Sequence, residues 1–243
     1  MNRIQELVMA KIRAVTAFGG ITLCVYLIAR VIIFSYSDYA AVERLFGLFL
    51  LAGEIYILVH AFGYLIGVFS FWGAKENDVQ KNFTAKNAPS AAVVVAARHE
   101  PAYVLRDTLA AFHNIDYPRK NIYLLDDSSE KKYMEEADEL GNKFGIKVFR
   151  RAVRHGAKAG VINDFLKCMK EKYIAVFDAD QNPMPDFLKK TISILESDPK
   201  IGFVQTPQFY TNIGVSPISK GAAIQQSVFY ENICESKSAS NSM

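Results

Sequence analysis

Two long apolar runs within the first 73 residues constrain this chain more than anything that follows them. From Ala14 to Phe34 the sole charged residue is Arg30, and from Leu45 to Gly73 a second run interrupts its apolar residues only with Glu54 and His60 as charge-bearing groups. A hydrocarbon layer of roughly 30 Å takes about 20 apolar residues of helix to cross, and both runs reach that length. Arg30 stands near the far end of its run, where its long stem can carry the guanidinium to the interface. Phe71 and Trp72 close the second run as an aromatic anchor would. The expectation is a membrane hairpin over 1–74, with spans at about 14–34 and 45–73. A cleaved signal peptide fits less well, because the first run is too long for one and a second span follows at once.

Arg3, Lys11 and Arg13 precede the first run and Lys75, Lys81 and Lys86 follow the second, whereas the connection sets Arg44 against Asp38 and Glu43. By the positive-inside bias, both ends are expected on the cytoplasmic side of a multi-pass protein of the inner or plasma membrane. Glu54 and His60 are costly in lipid and, six residues apart, do not share a helix face. They are expected to find a partner on another helix, or to lie in a kinked, partly interfacial segment, in preference to lining a translocation path.

From Ala74 onward charge, turn residues and short apolar runs alternate as in soluble proteins. The formal charge of +3 over 243 residues leaves no global basic field, so a nucleic-acid partner is not expected and any anion must be gripped locally. Cys24, Cys168 and Cys234 are odd in number and far apart, which excludes paired zinc spacing and argues for reduced cytosolic thiols with packing roles.

Residues 75–90 read as a polar linker and 91–243 as a cytosolic domain. Ala91–Ala97 is short, continuous and valine-rich, the pattern of a strand buried on both faces. Helical spacing follows over Pro101–Phe112, then a strand at Asn121–Leu125, a helix over Glu130–Phe144, a strand at Lys147–Phe149 and a helix over Gly156–Met169. A strand at Tyr173–Phe177, a helix over Pro185–Leu195 and a fifth strand at Ile201–Gln205 complete the reading. Such alternation predicts an α/β, Rossmann-like, mostly parallel sheet with helices on both faces, and ligands then collect beyond the carboxyl ends of the strands. The serine-rich tail from Glu235 carries neither signature.

The acidic residues fall at those strand ends. Asp178 and Asp180 follow the Tyr173–Phe177 strand on a turn, an arrangement that can hold a hard divalent cation beside phosphate oxygens or can be a solvated turn. Asp126, Asp127 and Ser128 follow the second strand and Glu100 the first. Carboxylates so placed can accept from a base N–H or ribose hydroxyls, while Asp127 or Ser128 can equally cap the next helix. Arg154 to Gly160 brings cations and small residues to a helix start, where free N–H groups favour a diphosphate. Lys158 is the best phosphate ligand there, unless it is an ordinary exposed lysine, and His155 reads as a local hydrogen-bonding residue.

In chain order, the Glu100 strand end, Asp126-Asp127, Arg154-x-Gly-x-Lys158-Ala-Gly, Asp178-x-Asp180 and Gln205-Thr206-Pro207-Gln208 resemble family 2 glycosyltransferases of the cellulose-synthase type. The resemblance implies a GT-A fold binding a UDP-sugar. Glu100, Asp126 and Asp127 would serve the nucleotide, Lys158 the diphosphate, Asp178 the donor, and Asp180 with Asp178 a Mg²⁺ or Mn²⁺ ion. It implies an inverting hexosyltransferase of polysaccharide biosynthesis, UDP-glucose being the leading donor, acting on a glycan or lipid acceptor beside synthase-complex subunits. Arg98-His99 stands where the family commonly has an asparagine before the glutamate. The family's general-base aspartate in a Thr-Glu-Asp-like motif and its Gln-x-x-Arg-Trp motif do not occur before Met243. The expectation is a donor-binding portion truncated ahead of both, its general base lying beyond Met243. The alternative is a catalytically inactive nucleotide-sugar-binding subunit of a synthase complex.

Overall fold

The computed structural model describes residues 3–71 and 81–239, which divide into two compact units. Trp72, Lys75, the start of the linker and the last residues of the serine-rich tail lie outside the described residues.

One unit, residues 77–204, is built on four parallel strands: β1 (Ala91–Ala97), β2 (Lys120–Asp126), β3 (Lys147–Phe149) and β4 (Tyr173–Phe177), in the order β3-β2-β1-β4. α3 (Ala102–His113), α4 (Lys131–Phe144) and α5 (Ala157–Leu166) make the crossovers, and α6 (Phe187–Leu195) follows β4. β1 is central, with Ala91 opposite both Lys120 of β2 and Tyr173 of β4. Its alternate residues explain the unbroken apolar run. Val93 and Val95 pack with Leu105, Leu109 and Phe112 of α3 and Leu188 and Ile192 of α6, while Ala92 and Val94 meet Val161 and Phe165 of α5. Helices therefore cover both faces, as the sequence pattern requires.

Two corrections concern the end of this region. Ile201–Gln205 forms no strand: no ladder partner is present among the described residues, and most of the segment is exposed. A short apolar run becomes a strand only where a neighbour can satisfy its backbone. The tail, conversely, is helical from Glu235 to Ala239 (α8), continuing α7 (Pro217–Ser227) and a π-helical stretch, Val228–Cys234. Ser216 starts α7 by accepting the Ser219 N–H at 3.1 Å, with Pro217 in the first turn.

The other unit joins this C-terminal segment to α1 (Arg3–Tyr36) and α2 (Ala41–Phe71), and α8 and the π-helical stretch lie against α2. Arg13–Tyr36 and Ala41–Gly67 are long and apolar enough to cross a membrane, with mean hydropathies of 2.1 and 2.0. Their apolar residues are almost wholly unburied by protein, which separates them from the core helices of a soluble domain. Arg30 does not extend to an interface: its Nε donates to Glu54 Oε2 at 2.7 Å across the hairpin. Each charge is thus partnered by the other, which would lower the cost either carries in lipid. His60 stays on its own helix, its Nδ1 2.8 Å from the Tyr56 carbonyl. All three thiols are free, Cys24 and Cys168 being exposed and Cys234 half-buried.

Helix α4 approaches β3 closely because residue 141 has no side chain. A β-carbon there would stand 2.6 Å from Val148 Cγ2, a branched group with little freedom to move. Gly141→Ala is expected to cost about 1 kcal/mol in the natural background, overpacking outweighing helix propensity, and to gain about 0.5–1 kcal/mol in a Val148→Ala background. Thermal unfolding of the four variants checks this, and the same sign in both backgrounds would refute it.

Candidate functional site

β2 leads outward to β3 on one side of β1, and β4 lies on the other. The order reverses at β1, and a crevice opens beyond the strand ends at such a switch point. A cleft of about 490 Å³ is found there, lined by Arg98, Glu100, Asp127, Lys158, Asp178 and Asp180 with small apolar residues between them. Five of the six residues singled out from the sequence meet in it. Asp126 is not among its lining residues.

Asp126 is 3% exposed, its carboxylate held by Arg150 Nε at 2.7 Å and by the Ser128 N–H at 3.0 Å. Arg150 also reaches Asp138 at 2.7 Å and the Met134 carbonyl at 2.7 Å, tying β2 and β3 to α4. Burial disfavours the Arg150 cation, yet the hydrogen bonds of Asp138 and Asp126 outweigh it and raise its pKa. Asp127 makes a two-pronged pair with Arg151, Nε to Oδ1 at 2.9 Å and Nη2 to Oδ2 at 2.8 Å, with both side chains nearly inaccessible. The same guanidinium donates to the His155 carbonyl at 2.5 Å and approaches Asp164 at 3.5 Å. Asp127, first among its partners, holds the Arg151 pKa above its ordinary value.

Neither arginine was singled out from the sequence, though a signal existed. The parallel register puts Leu125 beside Phe149, so Asp126-Asp127 at the end of β2 continues alongside Arg150-Arg151 at the end of β3. Matching acid and base pairs just past adjacent strands is a pairing rule legible in the sequence.

Arg151 fixes the loop that delivers Lys158. Gly156 and Ala157 both have positive φ, 60° and 47°, turning the chain into α5. Gly160 lies so close beneath the loop that a β-carbon would meet the His155 carbonyl oxygen at 1.8 Å. Gly160 is therefore demanded by backbone approach, and Gly156 by its positive φ. His155 Nε2 pairs with Asp164 at 2.9 Å, the local bonding role its sequence context suggested.

At the end of β4, Lys158 contacts Asp178 Oδ1, and Gln181 Nε2 donates to Asp178 Oδ2 at 2.9 Å while its own amide oxygen accepts the Asp178 N–H at 3.0 Å. Buried Thr108 of α3 anchors the turn by donating to the Ala179 carbonyl at 2.5 Å. Glu100 and Asp180 differ from these carboxylates: neither has a side-chain partner in the protein among the described residues. Ser128 does not cap α4; its hydroxyl accepts the His99 N–H at 3.1 Å, and Glu130 at the helix start makes no side-chain cap.

The donor set suits a divalent cation shared with substrate phosphates better than a preformed protein cage. Asp180 is exposed to the cleft and unpartnered, Asp178 stands two residues away, and no group of three or more metal-binding side chains occurs among the described residues. Mg²⁺ and Mn²⁺ accept one or two carboxylates when water and phosphate supply the remaining ligands.

The sequence model described as "Glycosyltransferase like family 2" matches residues 88–232, more than half of the chain and every residue lining the cleft. The chain belongs to this glycosyltransferase family. Its four-stranded parallel sheet, with helices on both faces and acidic strand ends, is the GT-A arrangement. A UDP-forming cellulose synthase catalytic subunit from Pseudomonas fluorescens (strain SBW25) is 31% identical over 172 residues, 70% of this chain and 22% of that protein. The corresponding subunit from Xanthomonas axonopodis pv. citri (strain 306) is 32% identical over 174 residues, 70% of this chain and 23% of that protein. The chain thus spans less than a quarter of these curated relatives' length. Among solved structures, the mannosyltransferase PcManGT from Pyrobaculum calidifontis, in complex with GDP-Man and Mn²⁺, is similar over 63% of this chain and 46% of that one, with 19% identity and a TM-score of 0.49.

Two consequences of this wiring are measurable. Arg151→Met would strand the buried Asp127 carboxylate and release the His155 carbonyl, so its thermal midpoint should fall well below that of Arg106→Met, a change at an exposed arginine. Equal midpoints would contradict the role given to Arg151. Asp164 is held below its ordinary pKa of 3.8, chiefly by the Lys167 ammonium at 2.7 Å, with burial opposing and His155 and Arg151 adding to the effect. A depressed carboxylate pKa stabilises the fold above the unfolded value and loses that contribution as pH falls through the folded one. The stability advantage of the natural chain over Asp164→Asn should therefore be full at about pH 6 and shrink below about pH 4. Melting curves across that range check it, and a constant difference would refute it.

Proposed function

We propose that this chain is the donor-binding portion of a membrane glycosyltransferase whose cleft holds a UDP-sugar, UDP-glucose being the leading donor, for transfer to a growing β-glycan. The observation that carries this reading is convergence: Glu100, Asp127, Lys158, Asp178 and Asp180, drawn from three strand ends and one helix start, line one cleft at the sheet's switch point. The relatives' designation as UDP-forming supports the choice of nucleotide.

In this reading Glu100 and Asp127 accept hydrogen bonds from the nucleoside, and Lys158 with the first N–H groups of α5 receives the diphosphate. Lys158 is paired with Asp178, so a diphosphate competes with that carboxylate for the ammonium. Asp180, with Asp178 beside it, would hold Mg²⁺ or Mn²⁺, which neutralises the leaving diphosphate when bound. An acceptor hydroxyl then attacks the anomeric carbon with inversion. The cleft's carboxylates are occupied with the donor, so the base that takes the hydroxyl proton lies outside this set. The hairpin of α1 and α2 spans the membrane with the sheet on its cytoplasmic side, where nucleotide-sugars are available.

Calorimetric titration of the detergent-solubilised chain with UDP, uridine and several UDP- and GDP-sugars tests this. UDP should bind, more tightly with Mn²⁺ present, and Asp180→Asn should remove the metal's contribution. Lys158→Ala should weaken UDP by about 10–100-fold, the worth of a charge-assisted hydrogen bond, and leave uridine little changed. An absence of UDP binding would overturn the reading. Equal losses for UDP and uridine would overturn the assignment of Lys158.

A further inference from the structure

The loops after β1 and β2 carry the two carboxylates assigned to the nucleoside, and what holds them in register is residue 99. Its backbone lies in the left-handed region at φ 60°, which only a few non-glycine residues enter readily, asparagine and histidine among them. That conformation turns the His99 N–H toward β2, where it donates to Ser128 Oγ at 3.1 Å. The ring turns the same way: Nε2 accepts the Ser129 N–H at 2.9 Å, and the imidazole stacks on Tyr133 of α4 at 4.9 Å between centroids. Accepting at Nε2 puts the proton on Nδ1, which faces Glu130 at 3.9 Å. One more bond, from the Asp127 N–H to the Ala97 carbonyl at 2.9 Å, completes the seam.

The bonds of His99 thus go to the two residues after Asp127, while His99 itself is the residue before Glu100. Among the described residues Glu100 has no side-chain partner, so its placement depends on the backbone that His99 pins. We infer that His99 is a positioning residue for the nucleoside end of the donor site: it sets the spacing of Glu100 and Asp127 and so governs recognition of the base and ribose, without touching the diphosphate end. The inference rests on the reading of the cleft proposed above.

The two ends of the site can be titrated separately, with uridine for one and inorganic pyrophosphate plus Mn²⁺ for the other. His99→Gly keeps the left-handed backbone accessible but removes the ring acceptor and the stack; His99→Asn keeps both the backbone preference and a side-chain acceptor. His99→Gly is expected to weaken uridine and UDP about 10-fold each while leaving pyrophosphate unchanged, and His99→Asn should recover part of the loss. Circular dichroism and melting curves establish that each variant is folded before titration, and Tyr133→Leu, which removes the stack from the other side, should reproduce the uridine-selective loss. Equal losses of uridine and pyrophosphate, or no loss of either, would overturn the positioning role while natural-chain UDP binding left the donor-site reading intact. Failure of the natural chain to bind UDP would overturn both.

Discussion

The cleft depends on one guanidinium. Arg151 neutralises Asp127 with two parallel hydrogen bonds in a nearly inaccessible setting, and from the same group it holds the His155 carbonyl that begins the turn into α5. A carboxylate at that depth without its counter-ion would be an uncompensated buried charge. A single side chain therefore fixes both the placement of the Asp127 carboxylate and the path of the loop that presents Lys158. Its neighbour Arg150 repeats the logic one residue earlier, away from the cleft, where Asp126 becomes a brace between β2, β3 and α4. Two adjacent acids thus serve different purposes because the pleat sends successive side chains to opposite faces.

The alternation of strands and helices was legible because β1 is buried on both faces and its helices carry clean apolar stripes; β1, β3 and β4 lie within the residues the pattern indicates. The acidic strand ends were legible for the same reason, since polar residues directly after a buried strand have few places to go except the crevice. What the linear pattern could not show was which oxygen atoms are free. Asp126 and Asp127 are indistinguishable as letters; the Asp-Asp and Arg-Arg pairs after β2 and β3 hint at partnership, but only the register of Leu125 with Phe149 assigns each acid its arginine. The strand expected at Ile201–Gln205 failed for a related reason, because strand formation depends on a ladder partner that local composition does not encode. Arg30 has the position of a snorkelling cation in its run, but its partner Glu54 lies 24 residues away on the facing helix, a distance that local pattern does not bridge.

Backbone strain is concentrated where the site is built. The only non-glycine residues with positive φ among the described residues are His99 and Ala157, and they sit on the two loops that enclose the cleft from either side of Asp127. Each such residue costs on the order of 1 kcal/mol or more unless local bonds compensate. At His99 the compensation is visible, in a ring acceptor, a stacked tyrosine and a backbone donor. At Ala157 it comes from the Arg151 hub and the close packing over Gly160. The remaining strand connections carry no such strain, so the conformational cost falls on the ligand-facing end of the sheet.

Charge balance then decides what the cleft can bind. Its lining carries the carboxylates of Glu100, Asp127, Asp178 and Asp180 against the cations of Arg98 and Lys158, with Arg151 beneath Asp127. Lys158 is already committed to Asp178, so the open surface is acidic and a diphosphate entering alone would meet net repulsion. A divalent cation at Asp180 reverses that sign locally and adds ligand positions for phosphate oxygens. On the proposed reading, metal and diphosphate would be coupled by electrostatics, each making the site acceptable to the other. A neutral nucleoside lacks this dependence, since Glu100 and Asp127 can accept its hydrogen bonds without a counter-ion. On that reading, the cleft would have one end whose affinity rises with metal and another whose affinity is set by backbone geometry.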